Sequence, residues 1–199
     1  MQPINCIQGK NYLRYIVKLS DGNIVEFSDN TRNLREEHWV ICIPTQIGCP
    51  VGCFMCGSWK IPFKRSLKFH EMKWLAEYAI QKQNLKPADS KNFCISFLGI
   101  GEPAHNVQEV GQVIKYFHDN YQYKMIISSV GITDNYMELF QLVSYYKIGL
   151  QFSLLGFTDQ ERKESVKPHQ HLLSLAQIAK IGVEFFYSTG NKCFLDFLV

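Results

Sequence analysis

Polar and apolar residues alternate along "NYLRYIVKLSDGNIVEFSD", on both sides of Asp21-Gly22. Period-two alternation is the mark of a half-buried strand, and Asp-Gly is a strong hairpin turn signal. The pattern predicts a two-stranded ribbon. The pattern then changes. "WVICIPTQ" (39–46), "NFCISFLGI" (92–100), "YKMIISSVG" (123–131) and "IGLQFSLLG" (148–156) are nearly continuous apolar runs. Between them apolar residues recur at helical spacing. Met72, Leu75, Ala76, Ala79 and Ile80 form one stripe. Val107, Val110, Ile114 and Phe117 form a second. A helix is expected around 134–146. Another is expected from Leu172, Leu175, Ala176 and Ala179, ended by Gly182, with "VEFFYS" as a fifth strand.

Strands of this kind alternating with helices predict an α/β fold. The expected architecture is a partial (β/α) barrel of about five parallel strands, preceded by an N-terminal β-hairpin. The corresponding division is a hairpin extension over 1–30 and a core over 31–199. In barrels of this type chemistry gathers at the C-terminal ends of the strands.

Composition narrows the class. The 199 residues are 46% hydrophobic and 20% charged, as expected of a globular chain with a real core. A net charge of +3 permits a nucleic-acid partner without requiring one. The sequence has no apolar run long enough to span a bilayer, and its first residues lack a signal peptide's apolar stretch. A cytoplasmic location without a membrane partner is the expectation.

Three of the seven cysteines, Cys49, Cys53 and Cys56, stand in "GCPVGCFMC" with spacing C-x3-C-x2-C. In a reducing compartment such clustering points to a metal or to catalysis. Structural zinc usually takes two separated pairs of ligands, and no second pair follows. A four-cysteine iron–sulfur cluster would need Cys42 or Cys94 as its fourth ligand. The third option is a [4Fe–4S] cluster held by three cysteines, with one iron open to a substrate or cofactor.

"CIPTQIGCPVGCFMC" followed by "FLGIGEPAHN" and "SSVGI" resembles the RlmN/Cfr type of radical S-adenosylmethionine (SAM) RNA adenine methyltransferase, from about residue 12 to about residue 190. The resemblance implies a [4Fe–4S] cluster on Cys49, Cys53 and Cys56. Its open iron takes SAM, which is cleaved to a 5′-deoxyadenosyl radical with an electron from an external donor such as flavodoxin. By the same likeness Gly101 and Glu102 contact the SAM amino group. Ser128, with Ser129 as a neighbouring substitute, Ser153 and Asn191 make further SAM contacts. Glu26 matches a proton-accepting glutamate, and Cys42 a thiol that pairs with the family's reactive cysteine. The substrate implied is a splayed adenine of ribosomal or transfer RNA. Lys60, Lys64, Arg65 and Lys68 are candidates for its phosphates.

The chain also departs from that family. Met55 stands where an aromatic residue is usual, Gly57-Ser58-Trp59 replaces a small pair, and Leu155 replaces a histidine. No N-terminal helical domain precedes the hairpin. Cys193 does not match the methyl-carrying cysteine expected after a sixth strand. The core is thus expected to be shortened at both ends. Two alternatives remain open: a core that binds cluster and SAM without methyl transfer, and a non-catalytic zinc or iron–sulfur module.

Overall fold

The computed structural model describes residues 1–31 and 34–197. Strands β1 (Gln2–Gln8), β2 (Tyr12–Lys18) and β3 (Ile24–Thr31) form an antiparallel meander. β2 and β3 pair without slippage, from Tyr12 opposite Asn30 to Lys18 opposite Ile24. Their turn is the predicted one: Gly22 has φ +84°, and the Asp21 carboxylate accepts the Asn23 N–H at 3.0 Å. The expected two-stranded ribbon gains a third strand. β1 escaped the pattern because its isoleucines, Ile4 and Ile7, are not spaced by two and all its residues are exposed.

β3 also pairs antiparallel with β4 (Trp39–Cys42). The meander and the following core therefore share one sheet. A small clasp, β5 (Gln46–Ile47) with β6 (Arg65–Ser66), interrupts the sheet order. β7 (Phe93–Phe97), β8 (Lys124–Ser129), β9 (Gly149–Leu154) and β10 (Cys193–Phe197) then add in turn, each parallel to the last, with β7 parallel to β4. The result is one eight-stranded sheet.

The helices are α1 (Phe69–Gln81), α2 (Val107–Tyr121), α3 (Tyr136–Tyr145), α4 (Asp159–Glu164) and α5 (Leu175–Thr189). α1 packs on α2, α2 on α3 and α3 on α5, forming one layer. The predicted stripes face inward: Met72, Leu75, Ala76 and Ala79 of α1, then Val110, Ile114 and Phe117 of α2, are fully buried. From the sheet, Trp39, Ile41, Ile95, Phe97, Ile127, Leu150 and Phe152 complete this core.

Strand side chains alternate between faces. The other face carries Val40, Cys42, Cys94, Ser96, Ile126, Ser128, Gln151 and Ser153. Parallel sheets normally bury both faces. Here the second face is mostly polar, and among the described residues no helix layer lies over it, as in the interior of an incomplete barrel.

One element is reassigned. "VEFFYS" is not a strand but the end of α5, and the fifth parallel strand is β10. Ile178, Ile181 and Phe185 are buried at helical spacing, and Ser174 and Gln177 form a capping box at the start. The stripe and cap outweigh the strand propensity of the aromatic run. Gly182 lies inside the helix, against Cys193 of β10, and Gly190 ends it at φ +76°. Among the described residues no helix is long and apolar enough to cross a membrane.

Candidate active site at the C-terminal ends of the strands

The cysteine loop lies between the two halves of the β5–β6 clasp. It is closed at its base by Gly48, with φ +71°; a Cβ there would stand 2.2 Å from the Pro62 carbonyl oxygen. Only glycine tolerates both the dihedral and the approach. The loop is braced by the segment that ends α4 and follows it. The Phe54 N–H donates to the Ser165 carbonyl at 3.0 Å, and the Lys167 N–H to that of Val51 at 3.3 Å. The Gln170 amide donates to the Pro50 carbonyl at 3.3 Å.

Cys49 and Cys53 are half-buried and Cys56 is exposed. Burial pushes the Cys53 thiol up to about 12, and the charges of Cys49, Cys56 and Glu102 add to the shift. Cys49 is raised for the same first reason, and then by Glu102 and Cys56. Cys49 and Cys53 thus feel neighbouring thiols and one buried carboxylate. Among the described residues no three His, Cys, Asp or Glu side chains close on a single metal ion. Three thiols on one loop are, by their chemistry, a donor set that a multi-iron cluster can use, each thiolate taking a different iron.

The loop after β7 runs alongside. The Ile100 carbonyl accepts the N–H groups of Thr45, at 2.9 Å, and Gln46, at 3.1 Å. Gly101 has φ +113°, and a Cβ on it would meet Thr45 Oγ1 at 2.5 Å. The close approach at this glycine is made by the side chains of Thr45 and Gln46. Glu102 is buried. Its Oε1 accepts the Ala104 N–H at 3.2 Å, and its Oε2 the Val130 N–H at 3.0 Å. Burial raises its pKa, against the lowering effect of Ser129, Val130 and Ala104. The carboxylate is first of all a tie between two strand ends, though each oxygen retains a second lone pair.

Ser128 and Ser153, on neighbouring strands, bring their hydroxyls within 3.4 Å on the open face. Ser129 points the other way, accepts the Gly131 N–H at 3.0 Å and supports Glu102, so it is no substitute for Ser128. Cys42 lies on the open face, where the Asn30 amide donates to its sulfur at 3.4 Å; burial raises its pKa. Glu26 shares that face with Ser28 and Asn30 by alternation along β3, and stands 3.9 Å from Arg14 at the surface.

Asn191 is not gathered with these residues. It sits where β10 begins, at the opposite end of the sheet, and its amide donates to the Lys147 carbonyl at 2.9 Å. The reassignment of "VEFFYS" to α5 moves it there. The basic run also thins out. Arg65 is held by Asp21 and Glu71, and the Lys64 ammonium donates to the Asn23 side chain at 2.8 Å.

Some residues gave no signal in the sequence. Buried Gln46 accepts the Glu102 N–H at 3.0 Å and donates to Ser66 at 3.3 Å. Asn106 donates to the carbonyls of Thr45 and Leu67, both at 2.8 Å, and locks the clasp to the next loop. Arg162 is fully buried and donates to the Val130 carbonyl at 3.0 Å. Its stretch, "DQERKE", reads as a solvated helix. Met55 and Leu155, two of the departures in sequence, line one cleft with Phe54 and Phe157. They replace an aromatic and an imidazole with an apolar pair.

No family profile matches the chain. It is 27% identical over 201 residues to "Probable dual-specificity RNA methyltransferase RlmN" of Prochlorococcus marinus, covering 97% of this chain and 55% of that protein. It is 29% identical over 194 residues to "Ribosomal RNA large subunit methyltransferase N" of Nitrosopumilus maritimus, covering 92% of this chain and 54% of that protein. A crystal structure of a radical SAM methyltransferase from Sphaerobacter thermophilus superposes with a TM-score of 0.80 at 18% identity, over 98% of this chain and 57% of that one. The chain spans about half the length of the relatives it matches. Along nearly its whole length, then, the chain is RlmN-like, and its fold is that of a radical SAM methyltransferase.

Proposed function

We propose that this chain is the cluster- and SAM-binding core of a radical SAM enzyme that modifies adenine in ribosomal or transfer RNA. One observation carries the reading. The three cysteines of one loop and the buried carboxylate of Glu102 share one end of a sheet whose polar face carries Ser128 and Ser153.

In this reading Cys49, Cys53 and Cys56 each give one thiolate to a [4Fe–4S] cluster and lose their protons on binding. Together the bound cluster and SAM supply a 5′-deoxyadenosyl radical, with the electron drawn from an external donor. The chain's own residues position and shield. Gly101 and Glu102 hold the SAM amino end, the carboxylate using its free lone pairs. Ser128 and Ser153 offer hydroxyls along the open face. Glu26 accepts a proton further out on that face, and Cys42 is a thiol within it. Phe54, Met55, Leu155 and Phe157 place apolar side chains beside the loop. The RNA base would have to be unstacked to reach the strand ends. Such a cluster needs a reducing compartment, which suits the cytoplasm.

The test is anaerobic reconstitution with iron and sulfide. Iron and sulfide in cluster stoichiometry, a broad visible charge-transfer band, and 5′-deoxyadenosine released with reductant and SAM are expected. All should vanish in Cys53→Ala. A colourless protein with stoichiometric zinc refutes the reading. Release of 5′-deoxyadenosine with no labelled methyl in RNA would limit the chain to the half-reaction.

A further inference from the structure

A cleft of about 740 Å³ opens at the end of the sheet away from the cysteine loop. Three successive parallel strands begin at its rim, and each is approached by a lysine. Lys124 is the first residue of β8, Lys147 lies just before β9, and Lys192 immediately precedes β10. Neighbouring strands lie about 4.8 Å apart, and all three lysines line the cleft.

No aspartate or glutamate lines the cleft. Among the described residues none of the three lysines is in a salt bridge. His38 lines the same space, and its Nδ1 is buried without a hydrogen-bond partner. Acids next to lining residues are engaged elsewhere: Asp119 by His118 at 3.1 Å and Lys115 at 2.6 Å, and Glu37 by Lys91 at 2.7 Å. Tyr123 and Tyr146 line the same space, with the Tyr123 ring packed against Tyr121, Phe117 and Phe93. Like charges gathered without counter-charges repel, and an anionic ligand relieves that repulsion. Aromatic rings among unpaired cations are the surface that nucleotides use, phosphate on the ammoniums and base on the rings. The volume lies within the range of small-molecule sites.

We propose that this cleft is a second, separate nucleotide site. Lys124, Lys147 and Lys192 hold a phosphate, and the base lies against the rings of Tyr123 and Tyr146. The ligand is a free nucleotide or one unit of an RNA strand. The site requires neither cluster nor SAM.

The test compares the native chain with a variant carrying Lys124→Gln, Lys147→Gln and Lys192→Gln. The control carries Lys10→Gln, Lys18→Gln and Lys82→Gln, the same charge change outside the cleft. The probes are AMP and inorganic phosphate by calorimetry, and a single-stranded RNA dodecamer by fluorescence anisotropy across salt concentrations. AMP should bind saturably, and more tightly than phosphate. The cleft variant should lose at least about tenfold in AMP affinity, since removal of even one charged hydrogen bond typically costs about that much. The control should not. If RNA is the source, the dodecamer also binds, and the cleft variant lowers its salt slope by about 0.7, the value for one phosphate contact on a single strand. If a free nucleotide is the source, AMP binds and the dodecamer does not. All the substituted lysines are exposed, so melting by circular dichroism should be unchanged. Equal affinity for AMP and phosphate, no AMP binding, or AMP affinity retained by a folded cleft variant would overturn the proposal.

Discussion

The Glu102 carboxylate accepts the backbone N–H of Val130 at 3.0 Å, and the Val130 carbonyl accepts from the buried guanidinium of Arg162, also at 3.0 Å. One residue at the end of β8 thus links a buried carboxylate to a buried guanidinium. Through it the loop after β7, the end of β8 and helix α4 hold a common position, and the segment ending α4 and following it braces the cysteine loop.

Glu102→Gln tests that link. The amide keeps the shape but sets an NH2 group against one of two backbone N–H donors. The loss should be about 1–3 kcal/mol, the cost of leaving a buried donor unsatisfied. Urea unfolding reads it directly. An unchanged midpoint would mean that the carboxylate does not tie the two strand ends.

Ser128→Ala and Ser153→Ala should each weaken SAM binding to the reconstituted protein by roughly two- to tenfold, with little loss of stability. Asn191→Ala should leave SAM affinity unaltered, because its amide is spent on Lys147 at the far end of the sheet. Calorimetry with all three variants decides it. A large effect at Asn191 alone would put its side chain, rather than the two serines, in the SAM site.

Gly48→Ala should disrupt the cysteine loop. The left-handed dihedral costs about 1–2 kcal/mol for a residue with a Cβ, and the contact with the Pro62 carbonyl adds to it. Iron retained per chain after anaerobic reconstitution should fall well below the native value. Native iron content in this variant would show that Gly48 does not hold the loop.

Helix α5 is checked by a pair of aromatic truncations. Phe185 is fully buried, whereas Tyr187 is 84% exposed. Phe185→Ala should cost about 3–5 kcal/mol and Tyr187→Ala under about 0.5 kcal/mol. In a strand the two side chains would share a face and respond alike. Thermal or urea melts separate the two cases.

Acid should erase one ion pair. Burial raises the pKa of Glu71, but the hydrogen bonds of Arg65, at 2.8 Å to each oxygen, and of the Lys68 N–H outweigh it, and the net shift is downward. A carboxylate lowered in the folded state adds stability above its unfolded pKa and loses it as pH falls through the folded value. Glu71→Gln should therefore cost about 1–2 kcal/mol near neutral pH, after allowing for the partial exposure of Arg65. The gap to the native protein should narrow as the pH drops below the ordinary carboxylate range. A gap independent of pH would assign the effect to packing instead.

The local patterns were legible because they are short-range. Asp21-Gly22 specifies its turn through backbone dihedrals alone, and the stripes of α1 and α2 specify helices through the helical period. The spacing of Cys49, Cys53 and Cys56, and "GIGEP" after a strand, marked the end of the sheet at which they lie. "VEFFYS" misled because strand propensity and a helical stripe coincide in one short run, and packing against the sheet decided between them. Tertiary structure alone determined that one sheet face stays mostly polar, that Glu102 is buried on two backbone amides, and that Asn191 lies at the other end from Ser128. Each of these depends on pairing between residues far apart in the chain. A periodicity shows which side of an element is apolar, but not what packs against it or where the next element begins.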